Sequence, residues 1–443
     1  MANKKLKLKK QILAGIGLSN AKDAYTAGKE AAVKSLKELG NKKPSLSFVF
    51  FAGDYNPYKL SDGLKSVFQN SEFIGGSTDG LIYDGVPVHE GVLAVSIYSD
   101  YLHFGIASSD NISKDPKGIA EEIARAAIKK ISIDKYLDPY LQFMRMKQVD
   151  LSNLIRIPSF FTFVFTRGFQ VTKFGNEDDI IEGILDATGQ YIPLFGGSLG
   201  SYLENVFTGK KYEIFSLHSG KVLKDGLIVA FGVTGLLYAH SAEHGYTKTN
   251  KLGYISEVEN SGFVVSKVCD ENIITWYAKN VGVSEKDFLN KIMYHTQKNP
   301  LGFPDGYGNV VMRAGGVPFE GKLSYIAPFK EHTPVFVMDE VSKQKVMNAC
   351  NTIKKDLDKH LKADYKPALS FVVSCASRRA LLGKDIAVEL KKLKKTMGCP
   401  VFGFFSFGEI GSKPAQACRF HHLTTNVFNF YDKMLFSLEN GRL

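Results

Sequence analysis

Apolar positions along the chain gather into three stretches of one kind. Residues 401–411 read Val-Phe-Gly-Phe-Phe-Ser-Phe-Gly-Glu-Ile-Gly, an apolar run closed by two glycines around a single acid, Glu409. Aromatic and β-branched runs favour strands, and glycine permits turns and close backbone approaches that a side chain would block. Residues 72–80 (Glu-Phe-Ile-Gly-Gly-Ser-Thr-Asp-Gly) and 192–200 (Ile-Pro-Leu-Phe-Gly-Gly-Ser-Leu-Gly) follow the same design. Each is preceded by a β-rich run, at 46–51, 160–166 and 368–374, and followed by another, at 91–99, 226–233 and 423–430. Self-similarity on this scale marks repeated architecture. The pattern predicts three related units of strand, helix, strand, glycine turn and strand.

Helical spacing fills the intervals. Ala24, Ala27, Ala31, Leu36 and Leu39 share one side and Gly40 ends the run, while Leu60, Leu64 and Phe68 form a second helix. Pro116 opens a third, with Ile119, Ile123, Ala127 and Ile131 expected on its buried side. Residues 341–361 predict a long amphipathic helix, and 285–295 a shorter one inside a mixed stretch at 263–336. A first strand is expected within 5–19, a hairpin at Asp84–Gly85 and a connecting arm at 138–150. Polar, glycine-bearing sequence interrupts the pattern at 240–251. The expected fold is therefore α/β, with α+β mixed sheets and flanking helices. It forms two lobes, 1–240 and 241–443, with the three repeats inside them.

At 443 residues the chain exceeds one ordinary core, and its 44% hydrophobic content is that of a globular protein. No apolar run reaches the roughly 18 residues of a membrane helix, so no membrane insertion is expected. Residues 11–18 are too short and glycine-broken for a signal-peptide core. Five cysteines without framework spacing suit a reducing compartment, and the expected location is the cytoplasm. The net charge of +11 is carried mostly by lysine, and Lys391, Lys392, Lys394 and Lys395 fall on one helix that reads as a solvated face. Nucleic-acid binding would interleave arginine and aromatic residues with such a patch, and that pattern is missing.

Three sets of residues carry candidate chemistry. The glycine turn Gly75, Gly76 and Ser77 offers backbone N–H groups to an anion, yet it lacks the lysine of a phosphate loop and reads first as close strand packing. Arg313, Arg378 and Glu409 suit a free amino acid, an arginine for its carboxylate and an acid for its ammonium group. The same three residues equally suit an internal Arg–Glu pair. Cys375, Cys399, Cys418, His421 and His422 are zinc-type donors without a Cys-x-x-Cys spacing, so no metal or other cofactor is expected. Cys375 with His421 forms a nucleophile and base lacking a named orienting group, which makes an enzyme acting on a small molecule the second reading.

Several of these motifs, in order, resemble one family. Gly-Ile-Gly-Leu-Ser at 15–19, Ala-Gly-Lys-Glu-Ala-Ala at 27–32, the run 48–51 and Ile-Gly-Gly-Ser-Thr-Asp-Gly at 74–80 resemble the N-terminal half of FIST proteins, sensory proteins of intracellular signal transduction. Pro300-Leu301-Gly302, Arg313, Ser374-Cys375-Ala376-Ser377-Arg378 and Gly408-Glu409-Ile410 with His421 are similar to their C-terminal domain. The sequence departs from the family pattern at His422, where an asparagine is usual, and at Pro414, displaced from its usual place. The resemblance implies a sensory domain that binds a small ligand, with amino acids as the class, and signals to a separate partner protein. With the readings above, the candidate ligand-binding set is Arg313, Cys375, Arg378, Gly408, Glu409, Gly411, His421, Gly75, Gly76 and Ser77.

Overall fold

The computed structural model describes residues 10–132, 159–170, 175–359, 361 and 365–434. Three units share one element order. The first runs strand Leu13–Ser19, helix Ala24–Leu36, strand Leu46–Ala52, helix Pro57–Phe68, strand Phe73–Ser77, hairpin Gly80–Tyr83 and Val86–Val88, strand Gly91–Tyr98. The second repeats it with Leu102–Ser109, Pro116–Lys129, Phe160–Arg167, Glu177–Thr188, Leu194–Leu199, the hairpin Ser216–His218 and Lys221–Leu223, and Leu227–Thr234. The third uses Leu236–Glu243, Lys343–Asp358, Pro367–Cys375, Asp385–Met397, Val401–Ser406, the hairpin Glu409–Gly411 and Arg419–His421, and Thr425–Met434. The three glycine turns are thus equivalent, as the pattern predicts. Each unit also begins one strand and one helix earlier than the repeat predicts. The first strand is Leu13–Ser19. Residues 5–9 and the arm expected at 138–150 lie outside the described residues.

Each unit keeps four strands in its own sheet and gives its hairpin away. The first unit's hairpin pairs with Val401–Ser406 of the third, the second's with Phe73–Ser77 of the first, and the third's with Leu194–Leu199 of the second. The exchange closes a three-membered ring. Backbone bonds complete it: Gly200 N–H donates to Ser77 O (3.0 Å), Phe407 N–H to Ser198 O (3.0 Å) and Asp79 N–H to Phe405 O (3.3 Å). Glycine is required where the parallel strands approach. A Cβ on Gly75, Gly196 or Gly403 would lie 1.9, 1.9 or 1.7 Å from the carbonyl oxygen of Val49, Val164 or Val372.

The central strands lack polar alternation because both sheet faces are covered. Their inner faces meet at the ring centre, where Phe48, Phe163 and Phe371 occupy one register position, opposite Ile74, Phe195 and Phe402. Phe48 lies 5.2 Å from Phe163 and 5.1 Å from Phe371, centroid to centroid. Helices cover the outer faces. One helix departs from expectation: Pro116–Lys129 buries Ala120, Ala124 and Ala127, leaving Ile119 and Ile123 only partly covered. Its neighbour Glu177–Thr188 crosses so closely that a Cβ on Gly183 would stand 2.1 Å from Lys117 O, and only small residues fit between them.

A second lobe is inserted in the third unit. The chain leaves strand Leu236–Glu243, whose partner is Thr425–Met434, and enters the inserted sheet at Lys248, inside the 240–251 stretch where the sequence pattern breaks. Residue 240 itself lies within that ring strand. The inserted sheet is ordered Val310–Arg313, Leu301–Pro304, Pro334–Met338, Lys248–Glu259, Val264–Val268, Lys322–Tyr325, Gly315–Phe319. It has its own core, including Ile255, Trp276, Tyr277 and Phe288. The helix expected at 285–295 occurs as two, Glu285–Asn290 and Ile292–Lys298.

Candidate functional site

The third unit's hairpin sets the site. Strand Glu409–Gly411 lies between Leu194–Leu199 and Arg419–His421, which places Glu409 directly opposite His421. Gly408 is forced by packing, since a Cβ there would meet the Phe420 ring at 2.1 Å, and one on Gly411 would meet Asn426 at 2.5 Å. Glu409 is fully buried. Its carboxyl accepts from Ser406 Oγ (2.5 Å), Thr424 N (3.1 Å) and Thr424 Oγ1 (2.8 Å). Burial still raises it to about 8, against those donors. Among the described residues no arginine or lysine forms an ion pair with it.

Cys375 ends the strand behind this hairpin, with its N–H on Thr424 O at 3.0 Å. Burial, with Glu409 beside it, pushes its thiol well above the usual range. A protonated thiol next to a buried carboxyl is the reverse of what nucleophilic catalysis requires. Cys399 sits elsewhere, 3.2 Å from Ser370 Oγ, and the Cys418 thiol faces Gly411 O at 3.5 Å.

The two arginines go to different carboxylates. Arg378 is fully buried at the start of helix Ala376–Leu382, with Nη2 on Glu389 Oε1 at 2.8 Å and Nε on both carboxylate oxygens at 3.2 Å. Its Nη1 donates to His244 O (2.5 Å) and Leu423 O (3.4 Å). Arg313 ends the strand Val310–Arg313, with Nη1 on Phe420 O (2.8 Å) and Nη2 on Asp178 Oδ2 (2.7 Å). Its guanidinium lies between the rings of Phe303 and Phe420, 5.0 and 5.9 Å from their centroids. Asp178 comes from the first turn of helix Glu177–Thr188, so this pair stitches the inserted lobe to the second unit.

Beside that pair lies a cleft of about 1370 Å³, walled by Asp178, Asp179, Phe303, Asp305, Arg313 and Arg419 among others. A smaller chamber of about 210 Å³ adjoins it, lined by His244, Tyr246, Ser412, Lys413 and His421, and Asp305 and Arg419 line both. Burial and the nearby Arg313 lower His421 to about 3, so its ring is neutral. Three residues of these walls carry a buried polar atom without a partner among the described residues: Arg313 Nε in the cleft, Ser412 Oγ and His421 Nδ1 in the chamber. His422 and Asn426, which line neither cavity, hold four more of the thirteen such atoms. Native interiors leave few such atoms, and a cluster of them calls for a cause.

The profile of the FIST N domain matches residues 45–267, and that of the FIST C domain matches residues 274–412. The chain belongs to the FIST family. FIST domains are sensory domains that bind small ligands, which fits a signalling role. No curated protein matches the chain in sequence. Among solved structures, a cyanuric acid hydrolase is 10% identical over 95% of this chain and 100% of its own, with a TM-score of 0.35. PurLQS from Thermotoga maritima is 10% identical over 75% of this chain and 73% of its own, at 0.20. Likeness at these scores carries no argument about activity.

Of the candidate residues in this FIST protein, Arg313 lines the cleft and His421 the chamber, with Gly408, Glu409, Gly411 and Cys375 packed behind them. Arg378 is interior. Gly75, Gly76 and Ser77 line neither cavity: Gly76 backs onto Phe215 O, and Ser77 Oγ accepts from Phe215 N at 3.0 Å. Sequence reasoning missed Asp178, Asp305, Arg419, Ser412, Lys413 and His244. The run Glu177-Asp178-Asp179 carries a signal, but acids in a helix's first turn read as dipole partners.

Proposed function

We propose that this FIST protein senses a small polar ligand, an amino acid being the class that fits best, in the cleft at Arg313. The observation that carries the reading is the unpartnered Nε of Arg313, a buried donor in the cleft wall, with the unpartnered Ser412 Oγ and His421 Nδ1 in the wall of the adjoining chamber. An amino acid needs a cation for its carboxylate and acids for its ammonium group, and Arg313 and Arg419 stand with Asp178 and Asp179 in one cleft. The ligand's carboxylate competes with Asp178 for Arg313, so occupancy acts on the link between the inserted lobe and the second unit. A separate partner reads that change. The site of action is the cytoplasm, which suits five free thiols. No helix among the described residues is long and apolar enough to cross a membrane.

A thermal-shift screen of amino acids and small carboxylates, with mass spectrometry of each hit, tests the reading. A sensed ligand at a hundredfold excess over its Kd stabilises the protein by about 2.7 kcal/mol and is recovered unchanged. Turnover of a hit, lost on Cys375→Ala, would replace the sensor with an enzyme.

A further inference from the structure

The smaller chamber has a charge pattern of its own. Its basic lining residues are Lys248, Lys413 and Arg419, and its acid is Asp305. Asp305 is already satisfied, with Oδ1 accepting from Tyr307 N (2.7 Å) and Asn309 N (2.9 Å) and Oδ2 from Asn309 Nδ2 (2.8 Å). Lys413 is held from behind the wall by Glu243 at 3.1 Å, with Asp356 at 3.9 Å. Arg419, which is exposed, acts on the charge of Asp305. Against Asp305 and Glu243 the three basic residues therefore keep one positive charge in excess, and the Lys248 ammonium lies 3.8 Å from the Phe336 ring centroid.

Uncharged donors join them. Ser412 is 5% exposed and its hydroxyl has no partner. His244 Nδ1 accepts the Tyr246 N–H at 3.0 Å, which leaves the ring proton on Nε2. The neutral His421 ring also lines the chamber, and its unpartnered Nδ1 donates only in the tautomer that carries the proton there. Cations and N–H or O–H donors converging on a small cavity are what a carboxylate or phosphate requires. Asp305 and Arg419 place this cavity next to the Arg313 cleft.

We infer that the chamber is an oxyanion subsite, so that the ligand carries a second acidic group, a carboxylate or a phosphate, besides the one that meets Arg313. The inference rests on the proposed cleft site and names the class of ligand within it. Its consequence is discrimination between molecules that differ only in that group.

Calorimetric titration of the full chain with matched pairs tests this: aspartate against asparagine, glutamate against glutamine, phosphoserine against serine. The acidic member of at least one pair should bind about tenfold tighter or more, as expected for charge-assisted hydrogen bonds. The pair that responds tells carboxylate from phosphate. Arg419→Met and Ser412→Ala should each erode that preference by weakening the acidic member more than the neutral one, and Arg313→Met should weaken both members. Equal binding within every pair, with Arg313→Met still weakening both, would overturn the subsite and leave the cleft standing. Absence of binding by every member would overturn both.

Discussion

Arg378→Met should lower the stability of the folded protein by about 3–5 kcal/mol, the cost of stranding one charge of a buried pair. Arg378 and Glu389 are both wholly inaccessible and joined by three hydrogen bonds. Once the guanidinium is gone, Thr425 Oγ1, at 3.3 Å, is the Glu389 carboxylate's remaining hydrogen-bond partner among the described residues. The carbonyls of His244 and Leu423 lose a donor as well. Replacing both charges, as Arg378→Met with Glu389→Leu, should recover most of the loss, because apolar residues of similar volume often serve as well as a buried ion pair. Denaturant unfolding of the two variants reads this directly. A single variant as stable as the parent, but unable to bind ligand, would move Arg378 from the fold to the site.

Glu409→Gln should gain stability relative to the parent as pH rises. Burial lifts the native carboxyl from 4.5 to about 8. Between those values the native state holds a proton that the unfolded chain releases. The contribution of Glu409 is therefore fully present below about pH 4.5 and lost as pH rises through about 8. At about 1.4 kcal/mol per pH unit, the loss over that interval is on the order of 3–5 kcal/mol. Glutamine keeps the shape and cannot ionise, so the stability difference between variant and parent should climb by this amount from pH 5 to pH 8. His240 and His421, lowered to about 4 and 3, act oppositely, with stability present above the usual imidazole range and lost as pH falls, but they cancel in the comparison. A flat difference would show that Glu409 is ionised in the native protein.

The repeat was legible because each unit marks the same place with glycines against a neighbouring backbone, at Gly75, Gly196 and Gly403. The hairpin exchange was not legible. It joins Gly80–Tyr83 to Val401–Ser406 across most of the chain, and no local pattern encodes such a pairing. The alanine stripe of Pro116–Lys129 was hidden for a similar reason: isoleucines at helical spacing look buried until a neighbouring helix comes too close for them. The site divides the same way. Arg313, Arg378 and Glu409 stood out as charges amid apolar sequence, but their partners did not. Asp178 lies 135 positions before Arg313, and Glu389 sits on a helix whose lysines dominate its reading.

The most direct measurement is the affinity of the strongest screening hit for Arg313→Met beside the parent. Asp178, 40% exposed, rehydrates when the arginine is removed, so the variant should stay folded. Affinity should fall by more than about tenfold, the worth of a charged hydrogen bond withdrawn from a ligand. Unchanged affinity in the folded variant would contradict it.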